Sequence, residues 1–171
     1  MKGVFVAAAV FLSLGASAQR YLQKGESVIF SFRTQSGKYV MLAKGEHDAY
    51  IVYRFGTADS IEFEYPEKNR DSWKKFKYAY YLRGGGVQNA GMDLNYLYFV
   101  NNGYKYYIYD VYYAEKGRNS GIGVGVTNLE TNKTATIKGA EKTRKGTILD
   151  LRDNNLVERD TDLIEVDDIK P

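Results

Sequence analysis

Apolar and polar positions alternate with a period of two through most of this chain, in short runs separated by turn residues. Residues 94–113 show the pattern best. Leu-Asn-Tyr-Leu-Tyr-Phe-Val fills 94–100, Asn101-Asn102-Gly103 interrupts it, and a run of tyrosine and β-branched residues resumes over 104–113. Asn and Gly accept the positive φ that a type I′ turn requires, so this stretch predicts a long β-hairpin.

The same reading places strands over 27–33, 38–43, 50–55 and 60–65. In the last of these, Ile61, Phe63 and Tyr65 are expected on one face and Glu62 and Glu64 on the other. Pro66 has no amide hydrogen and ends the pairing. Residues 73–83 fit an amphipathic helix by composition, but the aromatics at 76, 78 and 80 favour a strand from about Phe76. The glycine-rich stretch 84–93 reads as a loop. Strands follow over 122–127 and 134–138. In the first of these Gly123 and Gly125 share a face, which is expected to sit against backbone or a bulky aromatic. Residues 147–151 are a candidate last strand. The acidic remainder, with sparse apolar residues, suggests a peripheral strand or docked tail. The expected fold is all-β: an antiparallel β-sandwich or barrel of about 8–10 short strands, with no substantial helix. The connections are too short for the crossovers of a parallel sheet.

The N-terminus changes the picture. Lys2 precedes an apolar run over 4–14, and Ala16-Ser17-Ala18 completes the pattern of a secretory signal peptide over 1–18. The run is short for a membrane anchor, which needs roughly 20 apolar residues. Cleavage near Ala18 leaves an antiparallel β domain over 19–138 and a C-terminal segment over 139–171, secreted or periplasmic, with no membrane span. The chain has no cysteine. That excludes disulfides, thiolate catalysis and thiolate metal sites, and the fold must hold by core packing. The formal charge of +3 is small, so a nucleic-acid partner is not expected. The 16 tyrosines are either an aromatic core or an exposed face that binds something.

Tyr50-Ile51-Val52-Tyr53-Arg54-Phe55-Gly56, followed by Ile61-Glu62-Phe63-Glu64-Tyr65-Pro66, resembles a signature of uncharacterised secreted bacterial all-β proteins. The likeness extends over about 27–127. It implies a secreted bacterial β domain and brings no catalytic residues.

Catalytic chemistry finds little support. His47 is the sole histidine and has no nucleophile motif near it. One His and no Cys make zinc improbable. The Asp residues at 150, 153, 160 and 162 lack the calcium-loop spacing. The glycines at 121, 123 and 125 do not fit a dinucleotide loop. No cofactor or metal is expected. Glu62 and Glu64 form the crude minimum of a carboxylate-based glycoside hydrolase, a reading ranked below a plain solvated strand face. Arg54 is expected to meet a Glu across the ladder, or else to join a ligand-binding cluster.

The favoured functional expectation is a non-enzymatic binding module for a carbohydrate or an envelope protein. Its candidate residues are Tyr53, Arg54, Glu62, Glu64, Tyr104, Tyr106, Tyr107 and Tyr109. The alternative is a secreted inhibitor of a hydrolase such as lysozyme, using a loop at 84–93 or 44–49. The oligomeric state is open.

Overall fold

The structure is a computed structural model and describes residues 21–115 and 120–160. The expected signal peptide and residues 161–171 lie outside the described residues. Eleven strands are described: β1 (Glu26–Arg33), β2 (Tyr39–Gly45), β3 (Ile51–Gly56), β4 (Ile61–Tyr65), β5 (Lys77–Arg83), β6 (Met92–Asn101), β7 (Tyr104–Tyr113), β8 (Ser120–Asn128), β9 (Thr134–Lys138), β10 (Lys145–Gly146) and β11 (Glu158–Arg159). They form two sheets, in the orders β10-β1-β2-β3-β4 and β11-β5-β6-β7-β8-β9. The fold is an all-β sandwich. Among the described residues no helix is long and apolar enough to cross a membrane.

The hairpin forms as its sequence dictates. β6 and β7 pair in register from Met92↔Tyr113 to Asn101↔Tyr104, and the turn places Asn102 and Gly103 at φ of 48° and 77°. One face of each sheet supplies the core. Phe30, Leu42, Ile51 and Tyr53 from the first sheet meet Tyr78, Leu97, Phe99, Ile108 and Val124 from the second. Aromatic rings bridge the sheets: Phe99 stacks on Tyr65 at 4.3 Å between centroids and on Tyr106 at 4.9 Å, and Tyr106 stacks on Phe63 at 5.2 Å. Each such pair adds about 0.5–1.5 kcal/mol beyond its burial.

Three local outcomes differ from the sequence reading, and a fourth, the turn around Trp73, lies just before the strand expected from about Phe76. The register of β3 and β4 shifts at Gly56, which pairs with Ile61. Ile61 therefore packs with Tyr21, Met41 and Val52 on the outer face rather than with Phe63. Residues 148–151 are not a strand but a 3-10 turn, Ile148–Leu151, capped by the Thr147 hydroxyl. Its Ile148 and Leu151 enter the core, and a turn aims both there where a strand would alternate them. Trp73 sits in a second such turn, Arg70–Lys75, and donates its indole N–H to the Asp48 carbonyl. Finally, β11 joins β5 in parallel, the one departure from antiparallel pairing among the described strands.

The segment after β9 is tied across one end of the sandwich by polar contacts. Arg144 and Thr147 bond the Asp110 carboxylate at 2.5 and 2.9 Å. Arg152 reaches Asp93 and Asn95 at 2.6 and 2.7 Å, and Tyr78 donates to Asn95. Burial pushes the Asp110 carboxyl above its usual range, against the pull of Arg144 and Thr147.

Candidate functional site

The candidates on the first sheet are mainly joined by charge. Arg54 projects from β3 onto the outer face and is fully buried. Its Nε donates to Glu64 at 2.6 Å across the ladder pair Arg54↔Glu64, so of the two glutamates the alternation offers, Glu64 is the one it meets. Its two terminal nitrogens grip both oxygens of Glu26 at 2.6 and 2.7 Å, and Nη1 also donates to the Tyr21 carbonyl at 2.6 Å. Tyr50 donates to Glu26 at 2.9 Å. Burial acts to raise the Glu26 carboxyl, but hydrogen bonds from Arg54, the Gln23 amide and Tyr50 outweigh it, and its pKa falls below the ordinary value. Glu26 is the partner that sequence reasoning missed, because strand pairing places only Glu64 beside Arg54. The fork straps the entry segment, residues 21–26, over the sheet. Tyr53, on the opposite face, lies in the core against Phe63 and Phe99. Glu62 pairs with Lys38 at 2.5 Å near the surface. Cations therefore hold both carboxylates of the hypothetical hydrolase pair.

The tyrosines of β7 divide between two faces. Tyr106 belongs to the inter-sheet stack, and Tyr104 is 41% exposed. Tyr107 and Tyr109 point outward yet are buried. They lie over the glycines of β8, their ladder partners being Gly125 and Gly123. A Cβ on Gly125 would stand 1.8 Å from the Tyr107 ring, and one on Gly123 would stand 2.3 Å from the Tyr109 hydroxyl. The bulky aromatic expected over the glycines is thus present. These rings are spent on packing, and Tyr107 and Tyr109 offer no open stacking platform for a sugar.

An open groove occurs elsewhere, on the outer face of the first sheet. About 400 Å³ of space lies between β1, β2 and residues 142–145. Met41 and the rings of Tyr21 and Tyr39, 5.6 Å apart, give it an apolar floor. The Tyr21 hydroxyl, bonded to the carbonyls of Thr57 and Ser60, fixes one side. Burial, with Glu62 nearby, pushes that hydroxyl up to about 12. The basic wall is pinned to β1. Arg33 N–H donates to Thr143 Oγ1 at 2.8 Å, Ala140 N–H donates to the Arg33 carbonyl at 2.7 Å, and Ser31 pairs with Lys145 in the ladder. Gly146 makes the approach possible: at φ 70°, a Cβ there would stand 2.0 Å from the Ile29 carbonyl oxygen.

The rim carries Arg33, Lys142, Arg144 and Lys145. Arg144 is neutralised by Asp110. Arg33 lies over the Tyr39 ring at 5.0 Å. Lys142 and Lys145 are exposed. The sequence signals for this site were the basic stretch at 142–145 and the basic ends of two strands, but nothing in the spacing brings them together. His47 sits exposed in a short turn, away from this groove. Among the described residues no group of three or more His, Asp or Glu could hold a metal ion. No protein-family model matches the chain, and no curated protein or solved structure matches it either.

Proposed function

We propose that this protein is a secreted or periplasmic binding module without catalytic activity, and that its ligand sits in the groove between β1, β2 and residues 142–145. The groove itself carries the reading. Its volume falls in the range of small-molecule sites, and an apolar floor beneath a few convergent polar groups is their usual makeup. The cross-linked Arg54 cluster holds the neighbouring face rigid.

A thermal-shift screen of the purified protein against small-molecule and glycan panels tests this. A ligand that binds only the folded state adds about 2.7 kcal/mol at a hundredfold excess over its Kd. Ser31 lies in the groove floor, so Ser31→Phe fills the space, and its ligand-induced shift should vanish. A shift of undiminished size in that variant overturns the assignment of the site.

One observation favours the inhibitor reading as the second. The loop between β5 and β6 is closed by hydrogen bonds, from Gly91 N–H to Gly86 O and from Arg83 to Ala90 O, and presents Val87 at 61% exposure. A braced apolar tip is what insertion into an enzyme cleft requires. Inhibition of lysozyme that Val87→Asp abolishes would establish this second reading.

A further inference from the structure

Resting on the groove as the binding site, we propose its ligand class: a small amphipathic acid, with an apolar body on Met41, Tyr21 and Tyr39 and one anionic head at the rim. The argument begins with charge. Arg33, Lys142 and Lys145 have no ion pair among the described residues, although most nearby charges do: Arg144 with Asp110, and Lys38 with Glu62. The lining contains no Asp or Glu. Neighbouring acids serve other groups or flank the wall: Asp110 bonds Arg144, Glu62 bonds Lys38, and Glu141 precedes Lys142 in the chain. A site with three unpaired cations and no acid attracts an anion and repels a metal ion. Arg33, with its guanidinium 5.0 Å from the Tyr39 ring centroid, adds a planar fork of the kind that grips carboxylates.

The floor selects the body behind the head. Sugars need many donors and acceptors, and the side-chain hydroxyls of the lining beside Tyr21 and Tyr39 are those of Ser31 and Thr143. Thr143 Oγ1 already accepts from Arg33 N–H and donates to the Ala140 carbonyl, and the Tyr21 hydroxyl already donates to two carbonyls. Two of these four hydroxyls are therefore committed within the protein, and the polar groups left to a ligand are mainly the rim cations. An apolar body loses no hydrogen bonds by entering, and gains from covering the apolar lining that is still open, to which the half-buried Tyr39 contributes more than Met41 or Tyr21. The volume limits that body to a short chain or one or two rings.

Titration calorimetry with decanoate, decanol and acetate as probes separates head from body. Decanoate should bind, while decanol, lacking the head, and acetate, lacking the body, should each bind at least tenfold more weakly. Replacing the rim lysines, Lys142→Gln with Lys145→Gln, should weaken decanoate about ten- to a hundredfold. Decanol should be unaffected by that change. Both side chains are exposed, so the fold should survive, and an unchanged thermal midpoint checks this. Raising salt from 0.05 to 0.5 M should weaken decanoate alone. Decanoate binding that the lysine variant leaves intact, or decanol binding as well as decanoate, overturns the proposal. A panel ligand of another class whose shift disappears in Ser31→Phe would overturn the acid assignment and leave the binding-module reading standing. Panel shifts that all persist in Ser31→Phe would sink that reading first.

Discussion

At the scale of single residues, Arg54 and Glu62 show how differently two charges on neighbouring strands can weigh. Arg54 is fully buried, and four hydrogen bonds from its three nitrogens reach Glu26, Glu64 and a carbonyl. Burying such a group costs several kcal/mol, offset only because every partner is in place. Arg54→Ala leaves the Glu26 carboxylate buried without a counter-charge, held only by Tyr50 and the Gln23 amide, so it should lower the unfolding free energy by about 3–5 kcal/mol. Glu62 and Lys38 are 40% and 34% exposed, and water screens them. Glu62→Ala should cost about 0–1 kcal/mol. Urea unfolding of the two variants checks the contrast, and similar losses would mean that burial is not what sets the strength of these pairs.

At the scale of elements, β8 shows glycine working against its usual sign. Glycine inside a strand is normally destabilising relative to alanine by roughly 0.5–1 kcal/mol. Here the Tyr107 ring occupies the space over Gly125, so a larger side chain forces the ring away. Gly125→Val should destabilise by about 1–3 kcal/mol. In a Tyr107→Ala background the same change should cost little, because the colliding ring is gone. Additive losses in the double variant, measured by thermal unfolding, would place the cost in the backbone instead. This packing was legible in the sequence, since alternation alone put both glycines on one face and tyrosines on the adjacent strand. So were the all-β class, the Asn-Gly hairpin and the meeting of Arg54 with a Glu across the ladder, all of which depend on neighbours in the chain or the ladder. Features set by tertiary geometry were not. The register shift that turns Ile61 outward, the 3-10 turn that buries Ile148 and Leu151, and the bond from Arg54 to Glu26 arise from how distant segments meet. The same holds for the groove, whose walls are separated by about a hundred residues of sequence.

At the scale of the whole molecule, the two buried carboxylates that hold outlying segments to the sandwich should respond to pH in opposite directions. Asp110 has its folded pKa raised above 3.8, so the native state takes up a proton before the unfolded chain does. Its contribution to stability grows as pH falls into that window. Glu26 has its folded pKa lowered below 4.5. Its stabilisation is complete above the unfolded value and is lost as pH falls through the folded one. Acidification should thus leave stability nearly level at first and then lower it steeply below pH 4.5, as Glu26 is forced to protonate and its grip on Arg54 weakens. Glu26→Gln isolates the second phase, because glutamine keeps the shape and removes the charge. The variant should be clearly less stable than the parent at pH 7, and the gap should narrow as pH falls below 4.5 and the Glu26 carboxyl is driven toward its neutral form. Unfolding free energies of the pair across about pH 2–8 decide the matter. A gap that stays constant down to the acid end of that range would show that shape, rather than the charge on Glu26, holds the entry segment against the sheet.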